Sequence, residues 1–247
     1  MVQPVLEWQA GRVTAIRPET RQTKSFTFAL PKWMAHRPGQ HYDVRLTAPD
    51  GYQTQRSYSI ASPPERLREI ELTVERIPDG EVSPYLHDVL MQGDELEVRG
   101  PIGGYFVWDV RLGGPLLLVG GGSGVVPLMA MLRHRAAQHS TVPTRMLYSS
   151  RSAEDVIYHD ELNGMAAAND GFEAFYTFTR QPPAGWTGYR RRIDAAMLAE
   201  VIKPFDKRAR VYVCGPTLLV EAVANALVEM ELPIEQIRTE RFGPTGV

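Results

Sequence analysis

Residues 115–127 read "PLLLVGGGSGVVP", and the reading of this stretch decides the fold. An apolar run without alternation, here 115–121, is a strand buried on both faces. The segment after it, "VVPLMAMLRHRAAQ" (125–138), has helical composition. Glycines between a buried strand and a helix let the backbone approach a phosphate closely. The helix start supplies unpaired N–H groups and the positive end of a dipole. Pro127 falls just inside the helix, where its missing N–H costs little. The spacing is G-x-G-x-x-P over Gly122, Gly124 and Pro127, not the dinucleotide fingerprint that ends on a third glycine. By itself the stretch also reads as a tight strand–helix turn.

Downstream, the same alternation continues. "TRMLYSS" (144–150), "FEAFYTFTR" (172–180) and "RVYVCG" (210–215) read as strands. "YHDELNGMAAA" (158–168), "IDAAMLAEVI" (193–202) and "TLLVEAVANALVEM" (217–230) read as helices. Strands alternating with helices predict a parallel α/β sheet with right-handed crossovers. Upstream the texture differs. "FTFAL" (26–30), "YDVRL" (42–46), "EIELTVERI" (69–77) and "ELEVRG" (95–100) alternate with period two and are separated by "RPGQ", "APDG", "IPDG" and "MQGD". Short strands at this spacing predict a small antiparallel β-barrel. The boundary is expected near "RLGGP", residues 111–115, dividing 1–111 from 112–247.

Composition excludes several function classes. The 247 residues carry a formal net charge of −2, so no global basic field points to nucleic acid or an anionic membrane. The first twenty residues hold no apolar run of signal-peptide type, and no apolar stretch approaches bilayer length, which predicts a cytoplasmic protein. One cysteine, Cys214, excludes a disulfide framework and a cysteine-ligated iron–sulfur or zinc site within the chain. His134 and His139 are five apart and do not share a helix face, so no metal site is expected.

Two further loops suit anions. In "DGEVSPYLHDVL" (79–90), Gly80 frees the loop, Ser83 is placed as N-cap and Pro84 at the first helical position. A capped helix without a ligand fits these residues equally. In "YSSRS" (148–152), Ser150 and Arg151 stand at a strand end, where ligands of open α/β sheets bind. An NAD site places a carboxylate there for the ribose 2′-hydroxyl. Hydroxyls and a guanidinium suit a 2′-phosphate instead, and Arg180 after the next strand adds a second cation. A solvated surface arginine is the alternative for Arg151.

"RSYSIAS", residues 56–62, alternates Arg56, Tyr58 and Ile60 with small residues, as a half-buried strand does. A charge, a flat ring and a hydroxyl in sequence are more than a strand needs, and raise the question of what sits against them. With this segment the chain resembles the ferredoxin–NADP reductase superfamily of flavoenzymes over nearly its whole length. "RSYSIAS" is similar to the family's R-x-Y-[ST] flavin motif, "GEVS" (80–83) to its flavin-pyrophosphate loop and "GPIGGYF" (100–106) to its Gly-Pro-x-Gly strand end. "GGGSGVVP" (120–127) resembles its pyridine-nucleotide loop, with Ser123 where threonine is commoner. "VCGP" (213–216) resembles its Cys-Gly motif and "ERFG" (240–243) its C-terminal segment.

The resemblance implies roles. Arg56 would pair with the flavin phosphate, Tyr58 would stack on the isoalloxazine, and Ser59 would set a hydroxyl near N5, with Ser57 beside them. Val74, Arg76, Gly80, Val82 and Ser83 would complete the flavin site. A pyrophosphate there implies FAD, with FMN the alternative that some relatives use. Gly121, Gly122, Ser123, Gly124 and Pro127 would hold NADP(H). Cys214, Gly215 and Pro216 would lie by the nicotinamide, with Cys214 packing beside the transferred hydride rather than attacking it. Glu240 would stand near the flavin, and Phe242 would cover its ring. Five residues, "GPTGV", follow Phe242 where plant-type members end on tyrosine, so contact with the FAD adenosine competes with the covering role. In "TRQPPAGWTGYRRRI" (179–193) Arg191 replaces a usual glycine. Arg190, Arg191 and Arg192 read as a solvated face, or as receivers of an acidic protein or the 2′-phosphate.

The expected function is NAD(P)H-dependent reduction of FAD, with electrons leaving to a separate ferredoxin, flavodoxin or oxygenase component. Alternatives are reduction of free flavins, quinones or ferric chelates, and a non-catalytic flavin-binding electron-transfer subunit.

Overall fold

The computed structural model describes residues 6–242. The chain forms two compact units, Met1–Trp108 with Met129–His134, and Asp109–Leu128 with Arg135–Val247.

The first unit holds six strands: β1 (Gln9–Pro18), β2 (Thr23–Ala29), β3 (His41–Thr47), β4 (Gln53–Ser59), β5 (Glu69–Glu75) and β6 (Glu95–Ile102). A short helix, α1 (Val82–Asp88), lies between β5 and β6. The sheet order is β4-β3-β6-β1-β2-β5, with antiparallel neighbours throughout. An antiparallel bridge between Ile60 and Leu72 joins the two end strands, giving the barrel-like form that the alternation predicts. Phe26, Phe28, Tyr42, Val44, Ile70, Leu72 and Val98 fill its core. β1 has no counterpart in the sequence reading. Its inward positions include Gly11, which packs closely against Val98 and Leu30, and a bulge falls between Val13 and Ala15. A glycine at a core position and a bulge both erase the period-two pattern.

β5 buries its second face as well. Glu71, side chain 7% exposed, receives Arg133 at 2.6 Å, Arg66 at 3.4 Å and Arg17 at 3.9 Å. Arg133 also donates to the carbonyl of Ala61 at 3.0 Å.

The second unit is built on a parallel sheet of β7 (Leu116–Gly121), β8 (Thr144–Ser152), β9 (Phe172–Gln181), β10 (Arg210–Pro216) and β11 (Ile237–Phe242). Its helices are α3 (His159–Ala167), α4 (Ala195–Ile202), α5 (Thr217–Glu229) and the two ends of α2 (Val125–Ala137), whose middle, Met129–His134, belongs to the first unit. Every residue of β7 is buried, as its unbroken apolar run requires. The order is β11-β10-β7-β8-β9. The chain builds outward from β7 in one direction and then resumes on its other side with β10. The strand order therefore reverses between β7 and β10, and the crevice at their carboxyl ends is where such sheets bind ligands.

No helix among the described residues is long and apolar enough to cross a membrane. No group of three or more potential metal ligands occurs among them either.

Candidate functional site

In the first unit, β4 carries the aromatic–cation–hydroxyl set. It is an edge strand whose register pairs Tyr58 with Tyr42, Ser57 with Asp43 and Arg56 with Val44. Directly paired residues share a face, so Arg56 and Tyr58 lie on one face and Ser57 and Ser59 on the other. Arg56 is exposed and its guanidinium donates to the adjacent carbonyl of Gln55 at 2.7 Å. Tyr58 is half-buried, and desolvation pushes its phenol pKa up. Ser57 donates to Asp43 at 2.7 Å, and Asp43 also pairs with Arg99 at 2.7 Å. The Ser59 hydroxyl is buried without a hydrogen-bond partner among the described residues. A buried donor left unpaired costs about 1–3 kcal/mol, so this atom fits a polar ligand edge such as that of a flavin.

The turn before α1 lies beside β4. The Tyr52 hydroxyl, at the approach to β4, donates to the Glu81 carboxylate at 3.2 Å. One detail corrects the sequence reading: the N-cap is Glu81, and Ser83 and Pro84 lie within the first turn. The Ser83 hydroxyl accepts from the Ile77 N–H at 3.0 Å, closing the Gly80 turn backward instead of capping the helix forward. It keeps its own hydrogen to donate. Val82 is buried at the helix start, Val74 packs in the core, and Arg76 pairs with Asp88 at 2.7 Å.

In the second unit, two glycine segments meet at the switch point. A Cβ on Gly124 would lie 2.2 Å from the Cys214 carbonyl oxygen and 2.6 Å from the Gly215 Cα. Gly215 packs likewise against Gly121, and a Gly121 Cβ would strike Leu219 at 2.6 Å and Pro216 at 3.3 Å. Gly122 has φ +54°, the left-handed region that glycine enters freely. Nothing among the described residues lies within 4 Å of where its Cβ would stand. Gly122–Gly124 form a 3-10 turn with Ser123 at its centre, and Pro127 follows in the first turn of α2.

Cys214 is fully buried and pairs in register with Gly120 on β7 and Glu240 on β11. Burial, then the neighbouring Glu240 charge, push the thiol pKa well up, which argues for packing over nucleophilic attack. Burial raises the Glu240 carboxyl from 4.5 to about 7, and its Oε2 has no hydrogen-bond partner among the described residues. Phe242 pairs with Pro216 at the end of β11. The stretch "GPTGV", residues 243–247, lies outside the described residues.

The Glu240 shift predicts a pH dependence. The folded state holds this proton more tightly than the unfolded chain, so burial costs nothing below about pH 4.5 and its full amount above about pH 7. Wild-type stability should fall relative to Glu240→Gln across that window, by up to roughly 3 kcal/mol. Urea midpoints of both proteins against pH measure it, and parallel curves would refute it.

At the ends of β8 and β9 the register runs Ser150 to Phe178 and then Ser152 to Gln181. One extra residue on β9 makes a bulge there, and Arg151 falls opposite the stretch holding Thr179 and Arg180. Arg151 and Arg180 are exposed. Ser150 is buried and its carbonyl accepts from Thr179 at 3.2 Å; Ser152 donates to Asp155 at 3.0 Å. The arginine run divides. Arg191 pairs with Asp194, Arg190 donates to the Trp186 carbonyl, and Arg192 is exposed. The sequence reading passed over Tyr148, whose buried hydroxyl donates to the Gly122 carbonyl at 3.0 Å. Only its place inside the quoted "YSSRS" could have drawn notice.

Residues 10–107 match the family described as oxidoreductase FAD-binding domain, and residues 118–225 the family described as oxidoreductase NAD-binding domain. The glycine betaine monooxygenase reductase subunit of Pseudomonas aeruginosa is 34% identical over 245 residues, covering 96% of this chain and 66% of that protein. A flavohemoprotein of Bordetella pertussis is 31% identical over 252 residues, covering 97% of this chain and 62% of its own. The chain thus spans about two thirds of the length of these relatives. Among solved structures, the FAD/NAD-binding domain of a nitric oxide dioxygenase from Vibrio cholerae superposes with TM-score 0.85 at 24% identity, covering 96% of this chain and 99% of that one. Fold, paired glycine segments and matched families define a two-domain oxidoreductase that binds FAD and a nicotinamide nucleotide. The chain belongs to the ferredoxin–NADP reductase superfamily of flavoenzymes.

Proposed function

We propose that this chain is an NADPH-preferring flavoprotein reductase that delivers electrons to a separate redox protein, an oxygenase component or a ferredoxin-type carrier. The carrying observation is the close seating of Gly121–Gly124 on Cys214–Pro216 at the strand-order reversal, with space above Gly122 for a phosphate. A non-catalytic electron-transfer subunit would have no need of it. The names of relatives support the partner: reductase subunit of glycine betaine monooxygenase and reductase component of propane 2-monooxygenase. FAD supplies the chemistry that converts a two-electron donor into single electrons.

The chain's residues bind and orient. Arg56 neutralises phosphate charge, Tyr58 offers a ring for stacking and Ser59 donates its hydroxyl to the flavin edge. Gly80, Val82 and Ser83 line the pyrophosphate turn. Gly121, Gly122, Ser123, Gly124 and the α2 start receive the coenzyme phosphates. Cys214 supplies a close-packed, proton-retaining wall for the nicotinamide, and Glu240 a carboxyl that changes charge near neutral pH. Phe242 is an aromatic cover. The proposal includes a cytoplasmic location, where reduced nicotinamide nucleotides are supplied.

Ser150, Arg151 and Arg180 set coenzyme choice in this reading. A guanidinium on a 2′-phosphate contributes about 1.5–3 kcal/mol, less the screening its exposure brings. The native protein is expected to use NADPH about tenfold or more better than NADH. Arg151→Ala should raise KM for NADPH by a similar factor and leave KM for NADH nearly unchanged. Steady-state kinetics with both coenzymes measure this, and anaerobic bleaching of the flavin by NADPH tests the activity itself. Equal efficiency with the two coenzymes would remove Arg151 from the assignment; no bleaching with either would remove the function.

A further inference from the structure

We propose that Tyr148 is the positioning residue of the coenzyme loop, an inference that rests on the nucleotide-binding reading above. Tyr148 lies on β8, is fully buried and pairs in register with Gly120 of β7. Its hydroxyl is held on two sides. It donates to the Gly122 carbonyl at 3.0 Å and accepts from the buried Ile157 N–H at 3.3 Å. The Gly122 carbonyl also accepts from the Val125 N–H, so both its lone pairs are engaged.

The consequence follows from peptide geometry. A peptide unit is planar and trans, so its C=O and N–H point in opposite directions. Fixing the Gly122 oxygen toward Tyr148 turns the Ser123 N–H away from it. Gly122 needs this help, because glycine at φ +54° has many other conformations open to it. The Ile157 contact prevents the hydroxyl from rotating away. That contact is itself firmly set, since Tyr158 follows in the left-handed region at φ 61°, a conformation a bulky residue keeps only when its surroundings impose it. Together with the Val125 N–H, the Tyr148 hydroxyl therefore orients the backbone that faces the coenzyme pyrophosphate, with no contact to the coenzyme required.

Tyr148→Phe removes the hydroxyl and keeps the ring. Equilibrium titration of the FAD-loaded protein with NADP+, NAD+ and 2′-AMP, which lacks the pyrophosphate, tests the role. The expected result is about tenfold weaker binding of NADP+ and NAD+ alike, with 2′-AMP binding and FAD content unchanged. A lower melting temperature with unchanged dissociation constants would mean packing only and overturn the proposal, as would equal weakening of 2′-AMP. Failure of the wild type to bind any of the three would overturn the coenzyme reading and this proposal with it. Unchanged binding by Tyr148→Phe alone would overturn this proposal and leave that reading standing.

Discussion

Glu71→Ala is expected to cost about 3–5 kcal/mol of folding stability, the range for breaking a buried ion pair from one side. The carboxylate and the Arg133 guanidinium are 7% and 9% exposed and 2.6 Å apart. Removing the carboxylate leaves Arg133 charged in a poorly solvated place, with the Ala61 carbonyl as one remaining acceptor. Arg17 and Arg66 lose a neighbour too, but both are far more exposed and can turn to water. The pairing of Glu71→Leu with Arg133→Met should recover most of the loss, because an apolar pair needs no compensating charge. Urea unfolding of the two singles and the double measures this. A single variant within 1 kcal/mol of wild type would show the pair to be structurally idle.

Gly124→Ala is expected to abolish productive coenzyme binding, lowering the rate of flavin reduction by NADPH by roughly a hundredfold or more. The added Cβ would sit 2.2 Å from the Cys214 carbonyl oxygen and 2.5 Å from its carbon. Both are backbone atoms in a buried strand, so neither can swing aside. Overpacking a well-filled core costs about 1–3 kcal/mol where side chains can give way, and here the two loops must separate. Relieved in the free protein by parting the loops, the clash must be met again when they close on the coenzyme, and about 2.7 kcal/mol met only in the bound state is a hundredfold in affinity. FAD should stay bound, since Arg56, Tyr58 and Ser59 belong to the other compact unit. Stopped-flow reduction with NADPH and the flavin-to-protein absorbance ratio separate these effects. Normal reduction by the variant would contradict the seating of the loops.

Much of the fold was legible because its signals are local. Period-two alternation marked β2, β3, β5 and β6, and an unbroken apolar run marked β7 as central. β1 escaped because Gly11 fills a core position and a bulge shifts the phase beyond Val13. The start of α1 was misplaced because Ser83 is a good cap in isolation, while its hydroxyl is taken by Ile77 six residues earlier. Both cases are local patterns overruled by a neighbour that the pattern does not contain.

By itself the sequence determined the two textures, the glycine segments and the order of the motifs, because each depends on residues adjacent in the chain. The tertiary structure alone decided which distant groups meet. Sheet register set Glu240 beside Cys214, strand order seated Gly124 on the Cys214 backbone, and the Tyr148 hydroxyl reached Gly122 across twenty-six residues. Burial then changed the chemistry of what had met, raising the Glu240 carboxyl to about 7 and leaving the Ser59 hydroxyl without a partner among the described residues. Register and burial arise from the packing of whole sheets, and no short stretch of residues encodes them.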